Sequence, residues 1–183
     1  MKNIYIVGIP RSGKSTLSKI IKSKYPEMNI LSFEAIRNGF IKSQPNLNME
    51  DRNSNARQQI LPSFIVEFAY WNSIITGYGN IVEGSFSDIG TLMELINDED
   101  IIVCLGLGKR NIQEVVNGII MHDNEKDYTK LWTKEQIKKH FYDITEKDCE
   151  NYELCKKYSI EYFDTFNNRE DVFLNILKYI ENK

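Results

Sequence analysis

No stretch of this 183-residue chain approaches the roughly 18 consecutive apolar residues that a membrane span needs. Cysteine is scarce. Cys104, Cys149 and Cys155 are an odd number without a C-x-x-C pair, which argues against a disulfide framework and against a zinc site. Histidine is scarcer, with only His122 and His140. Positive charge is not in excess: 23 Lys and Arg face 26 Asp and Glu, for a formal net charge of −3. A nucleic-acid surface needs a basic footprint, so nucleic acid is not the expected partner. Met1-Lys2-Asn3 leads straight into an apolar run without a signal-peptide core, and cytoplasmic residence is the expectation. Repeats, low-complexity tracts and linkers are absent, so one domain over residues 1–183 is expected. Its composition is ordinary for a globular protein, at 42% hydrophobic and 27% charged residues.

What is present is an alternation of short apolar runs with longer helical patterns. Ile4 to Val7 reads as a strand buried on both faces. Leu17, Ile20 and Ile21 give residues 14–24 a helical spacing. Further strands are expected at 30–33, 81–82, 101–105 and 160–163. Helices are expected at 34–42, 56–76, 91–97, 111–120, 133–157 and 170–181. In 56–76, Ile60, Leu61, Phe64, Ile65, Phe68 and Ile75 are expected on one buried face. Pro62 must start that helix or kink it. The polar stretch 43–55 is expected to cross the surface. Alternating strands and helices predict an α/β fold, a parallel sheet with helices on both faces.

The one strong motif is Gly8-Ile9-Pro10-Arg11-Ser12-Gly13-Lys14-Ser15, a complete G-x-x-x-x-G-K-[ST] between a strand and a helix. Gly8 and Gly13 allow a tight loop whose N–H groups turn inward on phosphate oxygens. The following helix adds its positive end. Lys14 would reach the β- and γ-phosphates, Ser15 would offer its hydroxyl to Mg²⁺, and Thr16 would touch the α-phosphate. Ser12 completes the backbone cradle. Arg11 lies inside the loop, with its side chain expected to point away from the nucleotide. ATP and Mg²⁺ are therefore the expected cofactors.

Glu34 and Glu83 close the second and third strand candidates, the edge where open parallel sheets bind ligands. Either could hold an acceptor and take its proton, or hold magnesium waters. Arg37 follows Glu34 by one helical turn, and with Arg52 and Arg57 it could clamp an anionic group of the acceptor. Tyr70, Trp71 and Phe64 could line an acceptor pocket, but aromatics at helical spacing more simply belong to a core. His122 reads as a surface histidine, Asp164 as a turn cap, and the charged run from Lys134 to Glu153 as a solvated helical face.

The segment IYIVGIPRSGKSTLSKII resembles the opening of P-loop small-molecule kinases related to adenylate, shikimate and gluconate kinases. IIVCLGLGK (101–109) and IEYFDTFNNREDVF (160–173) resemble that group's fourth and fifth strands. The resemblance implies a three-layer P-loop fold with a five-stranded parallel sheet in the order 2-3-1-4-5. It also implies a substrate flap at about 38–76 and a small lid at about 121–132. It implies that Glu34 and Arg37 face substrate and that Arg110 stacks on adenine. Residues 164–168 would border the base. Departures are visible. Glu83-Gly84-Ser85-Phe86-Ser87 stands where adenylate-type enzymes have Asp-Gly-x-Pro-Arg, and no arginine occurs between Arg110 and Arg169.

A nucleoside monophosphate acceptor needs several arginine forks. Their scarcity favours a hydroxyl acceptor. The leading expectation is thus an ATP-dependent kinase phosphorylating a small metabolite alcohol. The alternatives are a nucleoside monophosphate kinase, a nucleotide-dependent regulatory ATPase marked by an exposed apolar patch, and an RNA-end kinase. GTPase switches are set aside because no N-K-x-D follows.

Overall fold

The computed structural model describes residues 2–51, 53–86, 88–122 and 129–183. Its elements run β1 (Ile4–Gly8), α1 (Lys14–Lys24), β2 (Asn29–Ser32), α2 (Phe33–Ser43), α3 (Leu61–Thr76), β3 (Asn80–Glu83), α4 (Ile89–Leu95), β4 (Ile101–Gly106), α5 (Ile112–His122), α6 (Lys134–Lys157), β5 (Tyr162–Asp164) and α7 (Arg169–Glu181). A 3₁₀ turn at Pro45–Leu47 and a π turn at Ala56–Ile60 join α2 to α3. The sheet is parallel throughout, in the order β2-β3-β1-β4-β5.

Period-two alternation in the central strands divides the core. Tyr5, Val7, Val82, Ile102 and Cys104 face one side, where they meet Phe33, Leu61, Ile65 and Ala69. Ile4, Ile6, Ile81, Val103 and Leu105 face the other, where they meet Leu17 and Ile21 of α1 and Phe173, Ile176 and Ile180 of α7. Helix-covered faces explain why these strands are apolar along their whole length. A third cluster joins Ile9 and Leu107, above the strand ends, to α5 and α6 through Val115, Val116 and Phe141.

Several boundaries differ from the sequence reading for local reasons. Helix α4 starts at Ile89 because Asp88 caps it, accepting from the N–H groups of Gly90 and Thr91 at 3.1 and 3.0 Å. Strand β5 starts at Tyr162 rather than residue 160. Ser159 takes a left-handed φ of 56°, and Ile160 donates back to the Cys155 carbonyl, closing α6. Met49, in the polar connection, is buried. Pro62 sits at the start of α3, directly after the π turn.

The largest correction concerns α3. Its buried residues are Leu61, Pro62, Ile65, Val66, Ala69 and Ser73. Ile60, Phe64, Phe68 and Ile75 are exposed, as are Tyr70 and Trp71, so these side chains lie outside the core. Leu61 and Ile65 of the expected stripe are buried, but farther along the inner side is made by the small residues Ala69 and Ser73, while the aromatic side chains point outward. No helix among the described residues is long and apolar enough to cross a membrane.

Candidate active site

Strand β1 ends at Gly8, whose φ is 134° and where a Cβ would come within 1.9 Å of the Leu105 carbonyl oxygen. Gly13 has φ 91°, and a Cβ there would lie 2.9 Å from the Phe173 ring. Both glycines are thus required by backbone angle and by close approach. Arg11 also takes a positive φ, of 68°. The Ser12 hydroxyl and N–H both donate to the Ile9 carbonyl, at 2.8 and 3.4 Å. The loop is braced from beyond β5. Thr165 Oγ1 donates to the Ser12 carbonyl at 2.8 Å, and Arg169 donates to the Arg11 carbonyl at 3.2 Å. Thr16 and Leu17 donate to the Gly13 carbonyl, so α1 begins with its first N–H groups turned to the loop.

Lys14 is buried, at 8% exposure, and its ammonium donates to the Ile9 carbonyl at 2.7 Å. Burial lowers its pKa, and the nearby carboxylates of Glu34 and Glu83 partly restore it. The Ser15 hydroxyl donates to Glu83 Oε2 at 3.1 Å. Register explains that meeting across 68 residues. Ile6 pairs with Glu83, so the end of β3 stands beside the start of the loop. Glu83 is itself buried, at 8% exposure. Glu34, in the first turn of α2, accepts from the Ser85 N–H at 3.0 Å. A Cβ at Gly84 would come within 2.3 Å of Phe33 Cβ, so glycine there lets α2 enter against β3. Arg57, in the π turn, is buried with its guanidinium 5.1 Å from the Phe33 ring centre. Lys14, Ser15, Glu83, Glu34 and Arg57 therefore gather around one end of β1–β3.

Two arginines take defined partners. The Arg37 guanidinium bonds the neighbouring Asn38 at 3.0 and 3.2 Å. Arg110 pairs with Asp164 at 2.9 Å and stacks 4.4 Å from the Phe166 ring centre. Arg11, expected to point away from the loop's ligand, does not simply do so. It lines a cleft of about 260 Å³, together with Gly13, Lys14, Ser15, Thr16, Leu107, Val115, Gly118, Ile119, Phe166 and Arg169. Phe166 and Ile119 give this cleft an apolar wall suited to a planar base. Phe166 falls inside the 164–168 stretch expected beside adenine, and Arg169 follows it. Arg52, Ser87 and residues 123–128 of the expected lid lie outside the described residues, as does the side chain of His122.

The charged run Lys134–Glu153 hides a residue that sequence reasoning missed. Asp148 is buried on the inner face of α6. It accepts from the Leu107 N–H at 2.8 Å and from the Tyr162 hydroxyl at 3.0 Å, and that hydroxyl accepts from the Gly108 N–H at 3.0 Å. Together they fix the exit of β4, which carries Leu107 into the cleft. Burial raises the Asp148 pKa above 3.8. The folded state therefore binds its proton more readily than the unfolded state, and stability is withdrawn as pH rises from 3.8 through the folded value. Asp148→Asn, neutral throughout, is expected to lose less stability than the parent as pH rises above 3.8, as read by thermal melts. Asp148→Ala, which orphans the Leu107 N–H, is expected to cost about 1–3 kcal/mol and to weaken nucleotide binding.

The donor set fits a magnesium-bound nucleotide. Gly8 and Gly13 make room for phosphates, Lys14 is a buried cation, and Ser15 beside Glu83 is an oxygen-rich corner of the kind that magnesium prefers. Among the described residues, no group of three or more His, Cys, Asp or Glu could hold a metal on its own.

No family model matches the sequence, and no curated protein matches it by sequence. Among solved structures, it is similar to the crystal structure of shikimate kinase from Bacteroides thetaiotaomicron. The TM-score is 0.63 over 98% of both chains, at 13% identity. With the strand order 2-3-1-4-5 and helices on both faces, this likeness identifies the three-layer α/β P-loop fold.

Proposed function

We propose that this chain is an ATP- and Mg²⁺-dependent kinase that transfers the γ-phosphoryl group to a hydroxyl of a small metabolite. The observation that carries the reading is the convergence of Lys14, Ser15, Glu83 and Glu34 between the P-loop cleft and the end of β2 and β3. Phosphoryl transfer asks a protein mainly for positioning and charge, and this cluster offers both.

Bound Mg²⁺ would supply positive charge on the phosphates. The loop N–H groups and the α1 terminus would hold the phosphate oxygens. Lys14 would leave the Ile9 carbonyl and follow the charge that builds on the transferring group. The Ser15–Glu83 hydrogen bond supports giving that pair the magnesium corner. Glu34 is bonded to Ser85 through one oxygen, and its other oxygen suits an acceptor hydroxyl. As the acceptor oxygen bonds to the γ-phosphorus, the bond to the β-bridging oxygen breaks. ADP leaves, and the hydroxyl proton passes to the carboxylate. Arg57 is the favoured contact for an anionic group on the acceptor. The lack of any arginine between Arg110 and Arg169 favours a hydroxyl acceptor over a nucleotide phosphate, which would need several arginine forks.

The test is ADP formation from Mg·ATP in pools of sugars, nucleosides, hydroxy acids, amino alcohols and nucleoside monophosphates. Turnover that rises in an alcohol pool and vanishes in Lys14→Ala would support the reading. Turnover confined to the monophosphate pool, or absent from every pool despite ATP binding, would count against it. Glu34→Gln is expected to lower kcat by about 10²- to 10⁴-fold at unchanged magnesium dependence. Glu83→Gln is expected to raise the magnesium concentration needed for half-maximal rate. Full activity in both variants would remove the carboxylates from the mechanism.

A further inference from the structure

Helix α3 carries a second apolar face that, among the described residues, meets only Phe40 of α2 at one edge and is otherwise exposed. Phe64, Phe68, Trp71 and Ile75 are 42%, 44%, 57% and 80% exposed. At about 100° per residue they fall within a strip roughly 60° wide, turned about 120° from the buried side of the helix. Phe64 stacks on Phe68 at 6.0 Å between ring centres, and Phe40 of α2 meets Phe64 edge-on at 4.9 Å, so the strip is continuous with the neighbouring helix. Glu67 is the one formally charged residue between Leu61 and Thr76. A solvent-facing helix ordinarily shows charge on its outer side, and this one shows large hydrocarbon instead.

We propose that this face pairs with the same face of a second copy, α3 against α3, antiparallel about a two-fold axis. Two features single out a second copy. The first is symmetry. The residues recur at spacings of 4, 3 and 4, which read the same in both directions. Antiparallel pairing therefore sets Phe68 against the partner's Trp71 and Phe64 against the partner's Ile75, each contact occurring twice as an isologous interface requires. In the same register Glu67 falls opposite the partner's Asn72, so the lone charge meets an amide and not its own copy.

The second feature is area. With whole side chains of roughly 200 Å² each, the exposed fractions of these four leave on the order of 450 Å² per copy. Tyr78 and Ile74, 49% and 52% exposed near the end of the helix, extend the patch. With them it exceeds the roughly 500 Å² per side that a specific interface needs. Spacings of 3 and 4 also suit the shallow crossing in which helices interlock side chains.

The experiment uses the full chain in sedimentation equilibrium up to roughly 100 µM, a range that detects micromolar self-association. The parent is expected at twice the chain mass. Trp71→Glu and Phe68→Lys are each expected at the single-chain mass. An equimolar mixture of the two is expected to regain the doubled mass, because Lys at 68 then meets Glu at 71 across the axis. Ile75→Lys, at the most exposed position of the four, is the third disrupting variant, and thermal melts establish that each variant is folded. A parent that stays at the single-chain mass would overturn the proposal and leave the face to a different protein. A doubled mass that survives all three substitutions would place the interface elsewhere. A mixture that stays at the single-chain mass would overturn the two-fold register.

Discussion

Lys14→Ala is expected to lower turnover by about 10³-fold, the loss that follows removal of one preorganised charge donor from a transition state, without lowering the stability of the unliganded protein. Those two outcomes come from the same fact. Lys14 is buried beside the loop, and burial lowers its pKa despite Glu34 and Glu83. The unfolded chain therefore binds this proton more tightly. Stability rises with pH between the lowered value and 10.5, and at neutral pH the buried charge is a net cost. A residue kept at a cost to the resting protein is kept for what it does when a ligand arrives. Lys14→Met retains the stem and drops the charge, so it isolates the electrostatic part. Turnover and melting temperature are the two measurements. Parental turnover in either variant would remove Lys14 from the mechanism. A fall of several degrees in the melting temperature of both would make the residue structural.

The second large effect is expected at Gly8. Alanine there must hold a φ of 134° and place its Cβ 1.9 Å from the Leu105 carbonyl oxygen. That oxygen belongs to β4, which pairs with β1 in register at this point, and neither central strand can retreat. Backbone strain and overpacking together predict a loss of about 3–5 kcal/mol. For a chain of this size that is a fall of roughly 10 °C or more in Tm. Gly39→Ala is the matched control. It lies in α2 with nothing within 4 Å of the added carbon. It should be neutral or stabilising by up to about 1 kcal/mol, the helix cost of glycine. Equal melting temperatures for Gly8→Ala and the parent would show that the loop tolerates a side chain at its entrance.

The loop was legible in the sequence because four residues of fixed type, Gly8, Gly13, Lys14 and Ser15, at fixed spacing between a strand and a helix specify it. The strand–helix alternation was legible for a similar reason, since strands buried on both faces stay apolar along their length. Pairings made by register were not legible. The meeting of Ser15 with Glu83 depends on Ile6 lying beside Glu83 in neighbouring strands. Asp148 was hidden because a helix of mixed charge looks solvated until its inward position is known. Helix α3 misled for a different reason. Its buried side uses Ala69 and Ser73, which score weakly as core, while its outer side uses Phe68 and Ile75, which score strongly. Counting apolar residues therefore favoured the wrong face. Arg110 meets Asp164 and Phe166, partners that only the folded end of β5 supplies.

The π turn at Ala56–Ile60 makes the chain one residue longer than an α-helical path through the same height. The Leu61 N–H closes it by reaching back to the Ala56 carbonyl. Arg57 lies on that surplus loop, over Phe33. Deleting a single residue there would let the segment relax to α-helix. Everything before the deletion would turn by roughly 100° about the axis, with α3 still anchored to the sheet. The guanidinium would leave Phe33 although Arg57 itself had not been mutated. A one-codon deletion would thus move a buried cation away from the ends of β2 and β3 with the phosphate loop untouched.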